Sequence, residues 1–187
     1  GVDPFIRFYS REEIAHDPMK ARTGLFFFRG NPDGRVAFCC AGGGFAYVAA
    51  IHDSFPVALE LSRRGYNVFA LIYRPGAQVA CEDLSNAIAY VQRHEKELGV
   101  HLDDYSIWGG SAGARMADWV GTYSTEMFAG IACPRPSTVV TQYTGLSEVT
   151  GAEAPTYANV GTYDVIADWR LMQARIAAIK SNGTPAE

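Results

Sequence analysis

Short apolar runs recur along the chain and alternate with stretches of helical periodicity. Leu25-Phe26-Phe27-Phe28 and Val36-Ala37-Phe38-Cys39-Cys40 flank Asn31-Pro32-Asp33-Gly34, a turn sequence, so the two runs read as a hairpin. The second run gives way to Ala41-Gly42-Gly43-Gly44, which must be loop. A helix is predicted from about Asp53 to Arg64, with Pro56 in its first turn and Gly65 as its stop. Val68-Phe69-Ala70-Leu71-Ile72 is nearly continuous in apolar character, as expected of a strand covered on both faces. Leu84, Ala87, Ile88, Val91 and Leu98 predict a helix over 81–98, closed by Gly99. Ser106-Ile107-Trp108 reads as a strand leading into Gly109-Gly110-Ser111-Ala112-Gly113, with a helix from there to about Tyr123. Val139–Tyr143 and Thr156–Val160 read as further strands, and a last helix from Ala167 to Lys180 stops at Asn182-Gly183. Strands alternating with helices predict an α/β fold, a mostly parallel sheet with helices on both faces, and no linker divides residues 1–187 into separate domains.

Composition narrows the partners. The 187 residues are 48 % apolar and 19 % charged, a balance that supports one packed core. Net charge is -4 and Lys and Arg form no cluster, which argues against nucleic acid or an anionic membrane as partner. No apolar stretch is long enough to span a bilayer, and the N-terminus shows no basic-then-apolar leader pattern. Cys39, Cys40, Cys81 and Cys133 lack metal-binding spacing and read as buried free thiols. That favours a reducing, cytoplasmic setting, although a processed secreted form would look the same; neither a metal nor a cofactor is expected.

Three segments carry chemistry. Gly109-Gly110-Ser111-Ala112-Gly113 is a G-x-S-x-G sequence between a strand and a helix. Such a turn needs small neighbours so that strand and helix can approach; it lifts the serine hydroxyl above the sheet edge and aims the helix amides at the same point. Ala41-Gly42-Gly43-Gly44-Phe45 follows an earlier strand, and its glycines allow backbone N–H groups to face a pocket where an oxyanion would form. Gly161-Thr162-Tyr163-Asp164 follows the strand ending at Val160, and a carboxylate at the C-terminal end of a later strand is where a triad acid belongs. Asp168 competes for that role but falls at a helix start; each segment could otherwise be an ordinary turn or cap.

Together these stretches resemble the small carboxylesterases and acetyl esterases of the hormone-sensitive-lipase and feruloyl-esterase-like branch of the α/β-hydrolases. The similarity is carried by CCAGGGF, RRGYNVFALIYRP, CEDLSNAIAYVQ, IWGGSAG and APTYANVGTYDVIADW. It implies an α/β-hydrolase fold with Ser111 as nucleophile, Asp164 as acid, and the amides of Gly43, Gly44 and Ala112 as oxyanion donors. It implies a small-molecule ester as substrate, without a cofactor. Ala41 departs from the family's histidine at the head of the oxyanion loop, which bears on loop geometry rather than on proton transfer. The span from Ser111 to Asp164 is too short to hold a cap domain, so a shallow, open pocket for short acyl groups is expected.

A base is not evident. His16, His52, His94 and His101 all precede Ser111, whereas the family order is serine, acid, histidine. His101 should lie at the far end of the strand leading to Ser111, roughly 15–20 Å away. His94 falls on the same wrong edge, and only His52 is expected near the active one. The expectation is therefore a parent sequence that continues past Glu187 with a strand, a loop bearing the histidine and a final helix, or a second polypeptide that completes the fold; a homo-oligomer is also compatible. The other reading is a binding or scaffold protein that keeps the fold without the base.

Overall fold

The structure, a computed structural model, describes residues 3–187. The N-terminal region, which periodicity left unassigned, contributes β1 (Phe5–Ile6), α1 (Arg11–His16) and a 3-10 turn over Pro18–Arg22. Its one local signal is Ser10-x-x-Glu13, and the two residues form a reciprocal capping box at the start of α1. The region is tied down by a buried charge cluster. The Arg74 guanidinium contacts Asp83 at 2.7 Å and Asp17 at 2.7 Å, and the Tyr9 hydroxyl donates to Asp83 at 2.5 Å.

The remaining elements are β2 (Gly24–Phe28), β3 (Val36–Cys40), α2 (Ser54–Arg63), β4 (Asn67–Ile72), α3 (Ala77–Arg93), α4 (Glu95–Leu98), β5 (Ser106–Gly110), α5 (Ala112–Ala129), β6 (Thr138–Gln142), β7 (Thr156–Asn159) and α6 (Trp169–Ser181). The strand order is β1-β2-β4-β3-β5-β6-β7. β1, β2 and β4 pair antiparallel, and from β4 to β7 all pairs are parallel. Ala186 bridges Thr156 in parallel, so residues 185–187 begin to line the outer edge of β7.

The hairpin expected of the first two long runs does not form: β4 lies between β2 and β3. The turn chemistry is nonetheless real, because Gly34 N–H donates to the Asn31 carbonyl. The turn vaults over the start of β4 instead of reversing the chain beside it. Asn67 makes this possible. Its side-chain amide donates to the carbonyls of Asn31 (2.9 Å) and Gly34 (3.0 Å), and its carbonyl oxygen accepts from Gly30 N–H (3.0 Å). Register follows from packing: Phe27 stacks on Phe69 at 4.3 Å across β2 and β4.

Alternation along the inner strands loads both faces. Val36, Phe38 and Cys40 of β3 and Phe69 and Leu71 of β4 join α3 and α5 residues in the main core. Ala37 and Cys39, with Val68 and Ala70, face Ala58 and Leu61 of α2. That is why these runs read as continuously apolar. The 81–98 helix starts earlier, at Ala77, and breaks at His94; Gly99 closes α4 in the left-handed region at φ 65°. α5 runs beyond Tyr123 to Ala129 but is bent at Ser124, where φ is 78°. Cys39, Cys40 and Cys81 are buried, and all four thiols are free. Among the described residues no helix is long and apolar enough to cross a membrane.

Asn67→Ala should destabilise the fold by about 3 kcal/mol, because it strands one buried N–H and two carbonyls at about 1–3 kcal/mol for each unsatisfied group, less what water recovers. Urea unfolding measures this; a change under 1 kcal/mol would mean that the linker does not depend on Asn67.

Candidate active site

The C-terminal ends of the parallel strands bring the singled-out segments to one edge. Ser111 follows β5 directly and caps α5, with φ 53° and ψ -116°. This is a strained conformation for a residue with a side chain. It is enforced by contact on both flanks: a Cβ on Gly113 would overlap the Cys40 carbonyl, and one on Gly109 would overlap the Gly113 carbonyl. The elbow is held to its neighbour by Ser111 N–H donating to Gln142 O at 2.9 Å, where β6 ends.

The glycine loop leaves β3 beside this elbow. Gly42 lies so close that an added Cβ would stand 3.1 Å from the Ser111 Cβ. Gly43 and Gly44 have φ 139° and 63°, in the region that glycine adopts at low cost. Their N–H groups take no part in the hydrogen bonds of the surrounding turn, in which Ala46 and Tyr47 donate to Gly43 O. Gly42 N–H, in contrast, is engaged, donating to Asp53 Oδ2 at 2.6 Å. Ala41, where a histidine was expected by resemblance, is fully buried, and its carbonyl accepts from the Tyr73 hydroxyl at 2.5 Å. The loop is thus braced without an imidazole.

Ala112 is the first residue of α5, so its N–H has no carbonyl within the helix to bond. Ser111, Gly43, Gly44 and Ala112 all lie where β3 and β5, adjacent strands, end.

Asp164 lies in the loop after β7, on the same sheet edge but two strands from β5. Its carboxylate accepts from Ala167 and Ile166 N–H, both at 2.8 Å, and these amides, Ala167 first, hold it below the usual carboxylate range. The same loop presents Tyr163, Val165 and Ile166 at 90 % exposure or more. Asp168 is occupied as the cap of α6, accepting from Arg170 N–H at 2.9 Å. Among the histidines, His16 ends α1, His94 stacks on Tyr90 at the end of α3, and His101 pairs loosely with Asp103 before β5. His52 is exposed, in the turn that precedes α2. Among the described residues no group of three or more His, Cys, Asp or Glu could hold a metal ion.

Sequence reasoning missed Asp53 and Tyr143. Asp53 read only as a helix start and Tyr143 only as the end of a strand, yet the Tyr143 hydroxyl donates to Asp53 Oδ1 at 2.6 Å, directly behind Gly110. Burial, then this bond, push the Tyr143 phenol up, so it stays protonated as the donor. Two sizeable grooves lie away from Ser111: one of about 420 Å³ beside Cys81 and Trp119, another of about 570 Å³ beside Pro56 and Trp108.

A mostly parallel sheet, helices on both faces and a strained serine at a strand–helix turn on the C-terminal edge define an α/β-hydrolase fold. Residues 30–150 match the BD-FAE family, and the chain belongs to that family. No curated protein matches it in sequence. In structure it is similar to an acetyl ester-xyloside bifunctional hydrolase from Caldicellulosiruptor lactoaceticus, with a TM-score of 0.83 and 22 % identity over 98 % of this chain and 83 % of that one. Thermogutta terrifontis esterase 2 phosphoramylated by tabun gives 0.71 at 19 % identity, covering 88 % and 76 %. MGS-M1, an alpha/beta hydrolase enzyme from a Medee basin deep-sea metagenome library, gives 0.75 at 18 % identity, covering 88 % and 74 %. At these identities the likeness is one of fold.

The strained elbow makes a stability prediction. Ser111→Gly should melt above Ser111→Ala, since glycine relieves about 1–3 kcal/mol of strain and returns about 0.5–1 kcal/mol of it as unfolded-state entropy. The net of about 1 kcal/mol corresponds to roughly 2–4 °C for a chain of this size. A glycine variant that melts no higher than the alanine variant would show that the elbow stores no strain.

Proposed function

We propose that the protein is a serine ester hydrolase acting on small-molecule esters of short acyl groups. The observation that carries this reading is the backbone of Ser111, positive in φ between β5 and the free amide end of α5, within a segment that belongs to BD-FAE. Ser111 Oγ attacks the acyl carbonyl, and the amides of Gly43, Gly44 and Ala112 hold the oxyanion. An imidazole takes the serine proton and later gives it to the leaving alcohol, and Asp164 orients that imidazole. His94 closes α3 and His101 precedes β5, both at the edge where the parallel strands start and not where Ser111 lies, which favours an imidazole on a further segment or a second polypeptide over these two. The bracing of the glycine loop without a histidine supports keeping the oxyanion role on Gly43 and Gly44. Two fold neighbours, one an acetyl ester-xyloside bifunctional hydrolase and one an esterase phosphoramylated by tabun, agree with an ester substrate and a nucleophile open to organophosphorus reagents.

Fluorophosphonate labelling followed by peptide mass mapping tests this. Ser111 should take the label slowly in the chain alone and faster with added free imidazole, and Ser111→Ala should lose labelling together with any ester hydrolysis, on the order of 10⁴-fold. Label absent from Ser111 under both conditions would leave the scaffold reading. Fast labelling that disappears in His52→Ala would place the base within the chain.

Gly43→Val should lower the labelling rate by roughly 10²–10³-fold, the usual cost of one lost oxyanion donor. A Cβ at Gly43 would overlap the Tyr47 carbonyl, and φ 139° strains any side chain there, so the loop must move. An unchanged labelling rate with a collapsed melting temperature would make the loop structural alone.

A further inference from the structure

We propose that Asp53 and Tyr143 form a clasp that positions the oxyanion loop against the serine elbow, which makes Asp53 a positioning residue for the reaction proposed at Ser111. Asp53 is placed to cap α2, and an aspartate there ordinarily accepts from its own helix. It makes no such bond. Its two carboxylate oxygens reach away from the helix instead. Oδ2 accepts from Gly42 N–H at 2.6 Å, and Oδ1 accepts from the Tyr143 hydroxyl at 2.6 Å. Both are short, charge-assisted bonds, the strong kind among neutral donors.

The groups so joined surround the elbow. A Cβ on Gly42 would stand 3.1 Å from the Ser111 Cβ, on the β3 side. The Tyr143 hydroxyl occupies the space a Cβ on Gly110 would need, and Asp53 Oδ1 would be 2.9 Å from that Cβ. Tyr143 is itself strained, at φ 36°, and its N–H donates to Asn159 O at 2.9 Å, so its backbone is fixed to β7 while its hydroxyl reaches toward β3. The carboxylate therefore links the ends of β3 and β6 across β5, the strand that carries Ser111. By engaging Gly42 N–H, while Tyr73 holds the Ala41 carbonyl of the same peptide, it sets the plane of the Ala41–Gly42 peptide from which the loop departs, and it leaves the next two amides free to face the substrate. Displacing such amides by about 1 Å costs on the order of 10²-fold in rate.

The clasp depends on the serine reading for its consequence but not for its existence, so two measurements separate them. Amide hydrogen exchange over residues 42–47 reads the clasp directly. Asp53→Ala and Tyr143→Phe should accelerate exchange there, and Asp53→Asn, which can still accept from Gly42 and bond the tyrosine, should not. Fluorophosphonate labelling of Ser111 with imidazole present reads the consequence. The limiting rate should fall roughly 10²-fold in Asp53→Ala and recover to within several-fold in Asp53→Asn, while the half-saturating reagent concentration changes by less than about twofold. Unchanged exchange in Asp53→Ala would overturn the clasp whatever Ser111 does. Faster exchange with an unchanged limiting rate would overturn the positioning role, as would failure of Asp53→Asn to restore that rate. A wild-type protein whose Ser111 takes no label would remove the serine reading and the positioning role with it, leaving the exchange result to decide the clasp alone.

Discussion

The approach of α5 to β3 and β5 at the serine turn is the constraint on which the rest depends. Gly113 lies against the carbonyls of Cys40 and Ala41, and Gly109 against the carbonyl of Gly113, with no room for a Cβ at either. Helix and strands can meet at this distance only because both flanks are bare, and the residue between them must then turn through positive φ. One consequence is that the end of β3 arrives beside Ser111, which brings the glycine loop into the site. Another is that the first amides of α5 open toward the same point, where the helix end favours negative charge. The strain in Ser111 is compensated by the packing of α5 onto the core through Met116, Ala117 and Val120.

Polar groups around this turn are spent on holding backbone. Tyr73 binds the Ala41 carbonyl, Asp53 the Gly42 amide, and Gln142 O the Ser111 amide. These contacts leave Gly43, Gly44 and Ala112 as the amides without a structural task. A carboxylate so near a site proposed to develop negative charge is acceptable because both its oxygens already accept short bonds, which disperse its charge.

The outer part of the sheet is organised by a buried arginine. Arg175 of α6 reaches Asp118 of α5 at 3.2 Å and donates through Nε to Glu148 O at 2.9 Å. Burial pushes the Asp118 carboxyl up to about 7, against the pull of Arg175. The pair anchors α6 and the 143–155 connection to the central helix, and so fixes β7 and the loop of Asp164 relative to β5. That loop, with Tyr163, Val165 and Ile166 exposed, is tied within itself by the Asp164 carboxylate.

Local pattern alone determined the inner strands, the helices that pack on them and the small-residue turn at Ser111, because these rest on neighbours in sequence. Val68–Ile72 could read as a doubly covered strand from its apolar run, Gly99 as a helix stop, and Gly109 to Gly113 as a turn whose small residues permit close approach. Strand order was beyond that reach. The turn at 31–34 has hairpin chemistry in either topology, and its bonds to Asn67, distant in sequence, form only where the linker crosses over β4. The clasp was invisible for the same reason: Asp53 and Tyr143 are each ordinary in their own segments, and their meeting requires β3, β5 and β6 to lie side by side. Sequence periodicity reports which face a residue shows to its own element, whereas hydrogen bonds between elements depend on which strands become neighbours, and that is settled by packing of the whole sheet.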